Sequence, residues 1–398
     1  MVFYMNKKGK IIMTIFGILL VLLVAVALII FISSRPVDKT TAITKLDELV
    51  ASQVGKQNVT QAILLVDSTH FGVSETFTHG ELNGSPIQAD QPFHVASVGK
   101  AFTATMIGIL IDENKIALDD RISSYLPDDV LDRLFIYHGT DFRDEVTVGQ
   151  LLSHTSGVAD YFADKTEGYP SIQELMINDP DKFWTPAELV AFSRDYQSPV
   201  GSPGEKYHYS DTGYILLGMI IERVSGQSFD AMLQEKVFIP LNMNDTYVMF
   251  YSEPVNGFRP IADVHLAGVN VKDHQSLSID WAGGGIISTA NDLAIFIRAL
   301  NNDKIISQET LNSLYQFEQK YRTGMYYGHG FIEYHFGEFF PTLKSMPRFT
   351  GHMGILGTQM FYSKSTDTVY ISSFGSADFA AGSVRTLIQV LSSLQRIK

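Results

Sequence analysis

Two side chains three residues apart, Ser97 and Lys100, could together do covalent chemistry. They stand in His94-Val95-Ala96-Ser97-Val98-Gly99-Lys100, directly before an apolar run from Ala101 to Leu110. That run repeats apolar residues at three- and four-residue spacings and holds no proline, which predicts a helix. The spacing sets Ser97 and Lys100 on one helical face. Ser97 then falls where a helix leaves its first backbone N–H groups unpaired. A serine beside a lysine at that positive end is a workable nucleophile. An amine kept neutral by burial takes a proton, and the serine's own N–H faces a developing oxyanion. Lys100 is the only lysine with a serine three residues before it. Taken alone, the pair also fits a helix cap followed by a solvated first-turn lysine.

Composition narrows the function classes. The chain has 398 residues, 45% hydrophobic and 18% charged, enough for a substantial core. Its net charge of −13 argues against nucleic-acid binding, because no basic stripe exists to neutralise phosphates. The absence of cysteine removes disulfides, thiolate catalysis and cysteine-based zinc sites together. The histidines show no His-Glu-x-x-His or other paired spacing, so no metal is expected. Gly283-Gly284-Gly285 is followed by no lysine, so it is no phosphate loop, and no other cofactor motif is present. No Gly-x-Ser-x-Gly occurs, which argues against an α/β-hydrolase.

The N-terminus suggests a compartment. Residues 1–10 carry Lys7, Lys8 and Lys10, and 11–32 is an uncharged apolar run of 22 residues. At about 1.5 Å per residue such a helix crosses a bilayer of about 30 Å. The lysines favour a cytoplasmic tail, with the rest outside the membrane. A cleaved signal peptide would have a shorter apolar region. The expected organisation is tail 1–10, single-pass anchor 11–32, linker 33–44 and one domain over 45–398.

Within that domain a first helix is expected over Thr44–Val54, then strands at Gln61–Asp67 and Phe71–Thr78. Helices are expected at Tyr214–Val224, Phe229–Val237, Asn291–Leu300 and Ala377–Ile397. Strand patterns return at Gly328–Phe336, Gly357–Ser363 and Thr368–Phe374. Strands at both chain ends with helix and loop between predict an α+β fold. Its antiparallel sheet is assembled from both ends, with a helical region inserted.

Two further groups complete a pattern. Tyr207-His208-Tyr209-Ser210-Asp211 lies just ahead of the Tyr214 helix, and Gly351-His352-Met353-Gly354-Ile355 leads into the late strands. In this order the chain resembles the serine β-lactamase and penicillin-binding-protein-like family, on the side of class C β-lactamases, D-Ala-D-Ala carboxypeptidases and related esterases. Ser97-Val-Gly-Lys100 resembles the family's nucleophile motif, Tyr209-Ser-Asp211 its Tyr-x-Asn element, and His352-Met-Gly354 its Lys-Thr-Gly or His-x-Gly strand. The resemblance covers roughly residues 45–398 and includes Leu151-Leu-Ser-His-Thr-Ser-Gly157 and Ala282-Gly-Gly-Gly-Ile-Ile-Ser-Thr-Ala290.

The resemblance implies that Ser97 attacks, that Lys100 or Tyr209 manages its proton, and that the N–H groups of Ser97 and Ile355 hold the oxyanion. A tyrosine, with a reference pKa of about 10, is a poor base near pH 7 until positive charge lowers that value, and Lys100 could supply the field. Gly354 keeps the strand edge clear for a carbonyl. The implied substrate is a D-amino-acid peptide, a β-lactam or a small ester. The alternatives are a broad carboxylesterase and a cell-wall-binding module that is acylated but barely turns over. Two positions depart from the commoner motif. Asp211 replaces an asparagine, and a carboxylate only accepts hydrogen bonds. It either holds Lys100 or favours a substrate with a free amine. His352 replaces lysine. As an imidazolium it would bind a substrate carboxylate with affinity falling between roughly pH 6 and 8. His154 is expected to tie a loop, Trp281 and the three glycines to form a turn under the site, and Tyr207 and His208 either to line the cleft or to pack on the sheet.

Overall fold

The computed structural model describes residues 15–18 and 35–398. Apart from residues 15–18, the expected tail and anchor lie outside the described residues. No helix among the described residues is long and apolar enough to cross a membrane.

The sheet that organises the domain is built from both chain ends. Its first strands are β1 (Gln61–Ser68), β2 (Val73–Leu82) and β3 (Ser85–Pro86). The late ones are β4 (Gln319–Arg322), β5 (Met325–Tyr327), β6 (Ile332–Tyr334), β7 (Phe349–Met353), β8 (Gln359–Ser363) and β9 (Thr368–Ser373). They run β4-β5-β6-β7-β8-β9-β1-β2-β3, each paired antiparallel to its neighbour. The first strand therefore joins the last, Leu65 opposite Ile371.

Alternation along β1 divides two cores. Ala62, Leu64 and Val66 pack with helix α1 (Lys39–Ala51) and the C-terminal helix Ala380–Leu394. Ile63 and Leu65 face the helical region inserted between the two halves of the sheet. Because both faces are covered, β1 reads as an almost unbroken apolar run.

Helix α1 begins at Lys39, inside the stretch read as linker, because the Asp38 carboxylate caps it by accepting the Thr41 N–H at 2.9 Å. Val37 bridges Ile397, so the compact unit reaches back beyond residue 45. The capping aspartate sits before a stretch with little apolar periodicity, which hid the helix start from the pattern.

Helix α2 (Gly99–Asp112) is buried on every side from Gly99 to Leu110. A helix apolar all round belongs inside a core. A tight turn over Ala96–Val98 precedes it, and no side chain caps either element. Ser97 is thus not a helix cap. Two features hold the turn in place. Strand Phe93–His94 pairs with Ile286–Ser288, and the Val95 N–H donates to the Ile286 carbonyl at 3.0 Å. Glycines then let backbone meet backbone: a Cβ at Gly99 would stand 2.7 Å from the Gly284 Cα, and one at Gly284 would stand 2.8 Å from the Ala96 carbonyl. Helix α3 (Asp211–Ser225) lies across α2. The Ser210 side chain caps its start, and Gly226, at φ 73°, ends it.

Candidate active site

The turn before α2, the start of α3, the glycine segment and the end of β7 meet at one point. Lys100, wholly buried, is central. Its ammonium forms an ion pair with Asp211 Oδ1, donates to the Gly283 carbonyl at 2.8 Å and reaches Ser97 Oγ at 3.4 Å. A Cβ at Gly283 would stand a tight 3.3 Å from Asp211 Oδ1 and in ordinary contact, 3.6 Å, with Lys100 Nζ. The lysine is therefore not a solvated helix residue. Of the two readings of Asp211, holding Lys100 is the one realised.

Tyr209 completes the group. Lys100 Nζ sits 5.0 Å from the centre of its ring. Burial, and then the Asp211 carboxylate, hold the phenol's pKa well above 10, although the nearby Ser97 hydroxyl favours the ionised form. The expectation that a neighbouring cation lowers this pKa is overturned, because desolvation dominates and the Asp211 charge adds to it. His154 ties the loop, as expected of it. Its Nδ1 accepts the Ser210 N–H at 3.1 Å, and its ring lies tilted against Tyr209 with centroids 4.1 Å apart.

Gly354 closes the other side. A Cβ there would meet the Val95 carbonyl at 2.8 Å and the Ser97 nitrogen at 3.3 Å, so only glycine lets the strand end approach the nucleophile. The Gly354 N–H donates to the Thr358 carbonyl at 2.7 Å, and Ile355, the next residue, opens on the same cavity as Ser97.

His352 requires a correction. Its Nδ1 lies 2.8 Å from the Met353 carbonyl, which can only accept, so Nδ1 carries the proton. Its Nε2 then accepts from the Tyr327 hydroxyl at 2.9 Å. Burial, and then the charge of Lys100, lower its pKa to about 3. The residue lines the cavity as a neutral ring with both nitrogens engaged. It does not offer an imidazolium to a substrate carboxylate.

The cavity in front of Ser97 measures about 430 Å³. His208, paired with Asp164 at 2.8 Å, lines it. Tyr207 instead packs among Tyr321, Tyr327 and His154. Among the wall residues that sequence reasoning missed are His94, Asp160 and Asp280. His94, three residues before Ser97, was near enough to suspect; Asp160 lies in a loop and Asp280 ends a short helical segment, and no spacing links either to the motifs. Asp160 accepts the N–H groups of Phe162 and Asp211, at 3.0 and 3.1 Å, so it braces the start of α3. Burial and the Asp211 charge raise its pKa well above the usual carboxylate value. Among the described residues no cluster of His, Cys, Asp or Glu could hold a metal ion.

Comparison with known proteins agrees with this geometry. The family described as Beta-lactamase matches residues 49–381. Penicillin-binding protein 4 of Amycolatopsis lactamdurans is 29% identical over 237 residues, 57% of this chain and 55% of that protein. Penicillin-binding protein 4* of Bacillus subtilis (strain 168) is 28% identical over 245 residues, 58% of this chain and 49% of that protein. The chain thus spans about half the length of these two relatives. The D-amino acid amidase of Ochrobactrum anthropi SV3, solved with L-phenylalanine amide, superposes with a TM-score of 0.72 at 25% identity. That match covers 89% of this chain and 99% of the amidase.

Two outcomes are expected from this geometry. Lys100→Met leaves Asp211 buried without its counter-ion and lowers unfolding free energy by about 3–5 kcal/mol. Lys100→Met with Asp211→Leu recovers most of that loss in denaturant unfolding, yet neither variant is acylated. The second outcome concerns pH. The unfolded chain protonates a histidine near pH 6.5, while folding holds His352 at about 3 and His94 at about 4, both through burial. Their contribution to stability is therefore complete above about pH 6.5 and lost on acidification towards those lower values. Between pH 6 and 8 the His352 ring stays neutral, so its ring NMR signals hold constant. Titration of the His352 signals within that window would refute the assignment.

Proposed function

The chain belongs to the β-lactamase family, a family of serine hydrolases, and from that premise we propose an acyl-enzyme hydrolase acting on D-amino-acid peptides or amides, or on β-lactams. The observation that carries this reading is the shared environment of Ser97 Oγ. It has a buried ammonium at 3.4 Å, a neutral phenol beside it, and a glycine-cleared strand edge next to its own backbone nitrogen.

Ser97 Oγ attacks the substrate carbonyl, and the new C–O bond places negative charge on the carbonyl oxygen. The N–H groups of Ser97 and Ile355 receive that oxygen. Tyr209 takes the serine proton on its oxygen as it gives its own proton to the leaving nitrogen. This relay needs no free phenolate, which fits a phenol with a raised pKa. The C–N bond breaks and an ester on Ser97 remains; the amine departs from an amide or peptide and stays tethered through the opened ring in a β-lactam. Water then attacks that ester through the reverse proton path, releasing the acid and restoring the serine. Lys100, held by Asp211, supplies a fixed positive charge beside Oγ throughout.

We propose further that residues 11–32 anchor the chain in a membrane with the catalytic domain outside the cytoplasm. The 22-residue apolar run and the lysines before it support that placement. Membrane fractionation of the full chain and of a form lacking residues 1–34 tests it. Recovery of the full chain in the soluble fraction would sink it.

Intact-protein mass spectrometry after exposure to a β-lactam and to a D-Ala-D-Ala peptide tests the chemistry. The expected result is an acyl adduct that Ser97→Ala abolishes. Tyr209→Phe is expected to lower the acylation rate by about 10²–10⁴-fold, the usual worth of a positioned proton carrier. Rapid loss of the adduct marks a hydrolase. A persistent one contradicts the hydrolytic reading and favours a receptor.

A further inference from the structure

The cavity wall carries one carboxylate without a partner. Asp280 lines the cavity, and among the described residues none donates a hydrogen bond to its side chain. Its Oδ2 lies 3.6 Å from His94 Nε2, beyond hydrogen-bonding distance. His94 is itself buried, with a side chain 1% exposed and Nε2 unpaired. Its Nδ1 accepts the Ala96 N–H at 3.1 Å, so Nε2 holds the ring proton and points a donor towards Asp280. Asp280 closes the segment Gln275–Asp280, whose Leu277 and Ile279 also line the cavity beside Met176 and Val264. One segment therefore presents an apolar surface and, at its end, an open carboxylate.

The charges around it favour a cation. Asp160 and Asp211 line the same space, and Lys100 is already committed to Asp211. Asp164 is paired with His208; Arg322, its guanidinium 4.9 Å from the Tyr321 ring centre, keeps its positive charge in the lining, against the carboxylates of Asp160, Asp211 and Asp280. Burial, then Asp211, raise the Asp280 pKa to about 7, against the opposing pull of Lys100. An incoming ammonium would supply a counter-charge and favour ionisation.

We propose that Asp280 is a specificity-determining residue that binds the free α-ammonium group of the acyl donor, whose apolar side chain rests on Leu277 and Ile279. This rests on the acyl-hydrolase reading for the identity of the site and refines its substrate class. The substrate is an α-amino amide or peptide with an unblocked amine. Recognition of a free amine, open to Asp211 on sequence grounds, thus falls to a different aspartate.

Calorimetric binding to full-length Ser97→Ala protein tests the assignment without requiring turnover. The probes are D-phenylalaninamide and 3-phenylpropanamide, which differ by the amine alone. A charge-assisted contact predicts at least about tenfold tighter binding of the amine. Adding Asp280→Asn is expected to bring the ratio close to one. Should that variant not fold, the preference in the Ser97→Ala protein must still collapse near about pH 9.5, where the amine is uncharged. Equal affinities for the two probes, a preference that survives Asp280→Asn, or one unchanged at high pH would each overturn the proposal. An amine preference in a protein whose wild type forms no acyl adduct would support this assignment while refuting the acyl-hydrolase reading.

Discussion

The buried ion pair between Lys100 and Asp211 is the constraint on which the site depends. Removing an ammonium from water costs several kcal/mol, more than one contact returns. The cost is offset here by three acceptors: the Asp211 carboxylate, the Gly283 carbonyl and the Ser97 hydroxyl. Each comes from a different element, so the charge can be buried only when α2, α3 and the glycine segment are all in place. The same requirement that completes the fold brings the Ser97 hydroxyl and the Lys100 charge together.

Glycine makes that convergence possible. Gly99, Gly284 and Gly354 sit where any Cβ would meet another backbone at under 3 Å. Close backbone approach replaces side-chain packing around the serine turn. The peptide groups around the nucleophile therefore have little room to move, as an oxyanion site built from backbone N–H groups requires. Gly283 acts differently: it leaves room for the Lys100 ammonium and lends it a carbonyl.

Charge in the cavity is arranged by burial more than by residue type. Two histidines, His94 and His352, line the site as neutral rings, and two aspartates, Asp160 and Asp280, are raised towards neutrality. Reading histidine as a cation at residue 352 follows from its ordinary titration in water, but a deep position between Tyr327 and the Met353 carbonyl reverses the outcome. What remains is an acidic wall, with Arg322 also in the lining, set apart from the lysine beside Ser97.

Sequence alone determined the α+β class, the joining of early with late strands and the three-residue spacing of Ser97 and Lys100. Apolar periodicity and short-range spacing carry that information, because they record which face of each local element is buried, whereas Tyr209 was singled out only by its resemblance to a family motif. Tertiary structure decided what no spacing encodes. It placed Asp280 against His94, fixed the tautomer of His352, kept the Tyr209 phenol neutral and committed Asp211 to Lys100. Each of these depends on desolvation and on charges brought close by chain segments distant in sequence, and a pKa or a hydrogen-bond partner exists only once those segments have met.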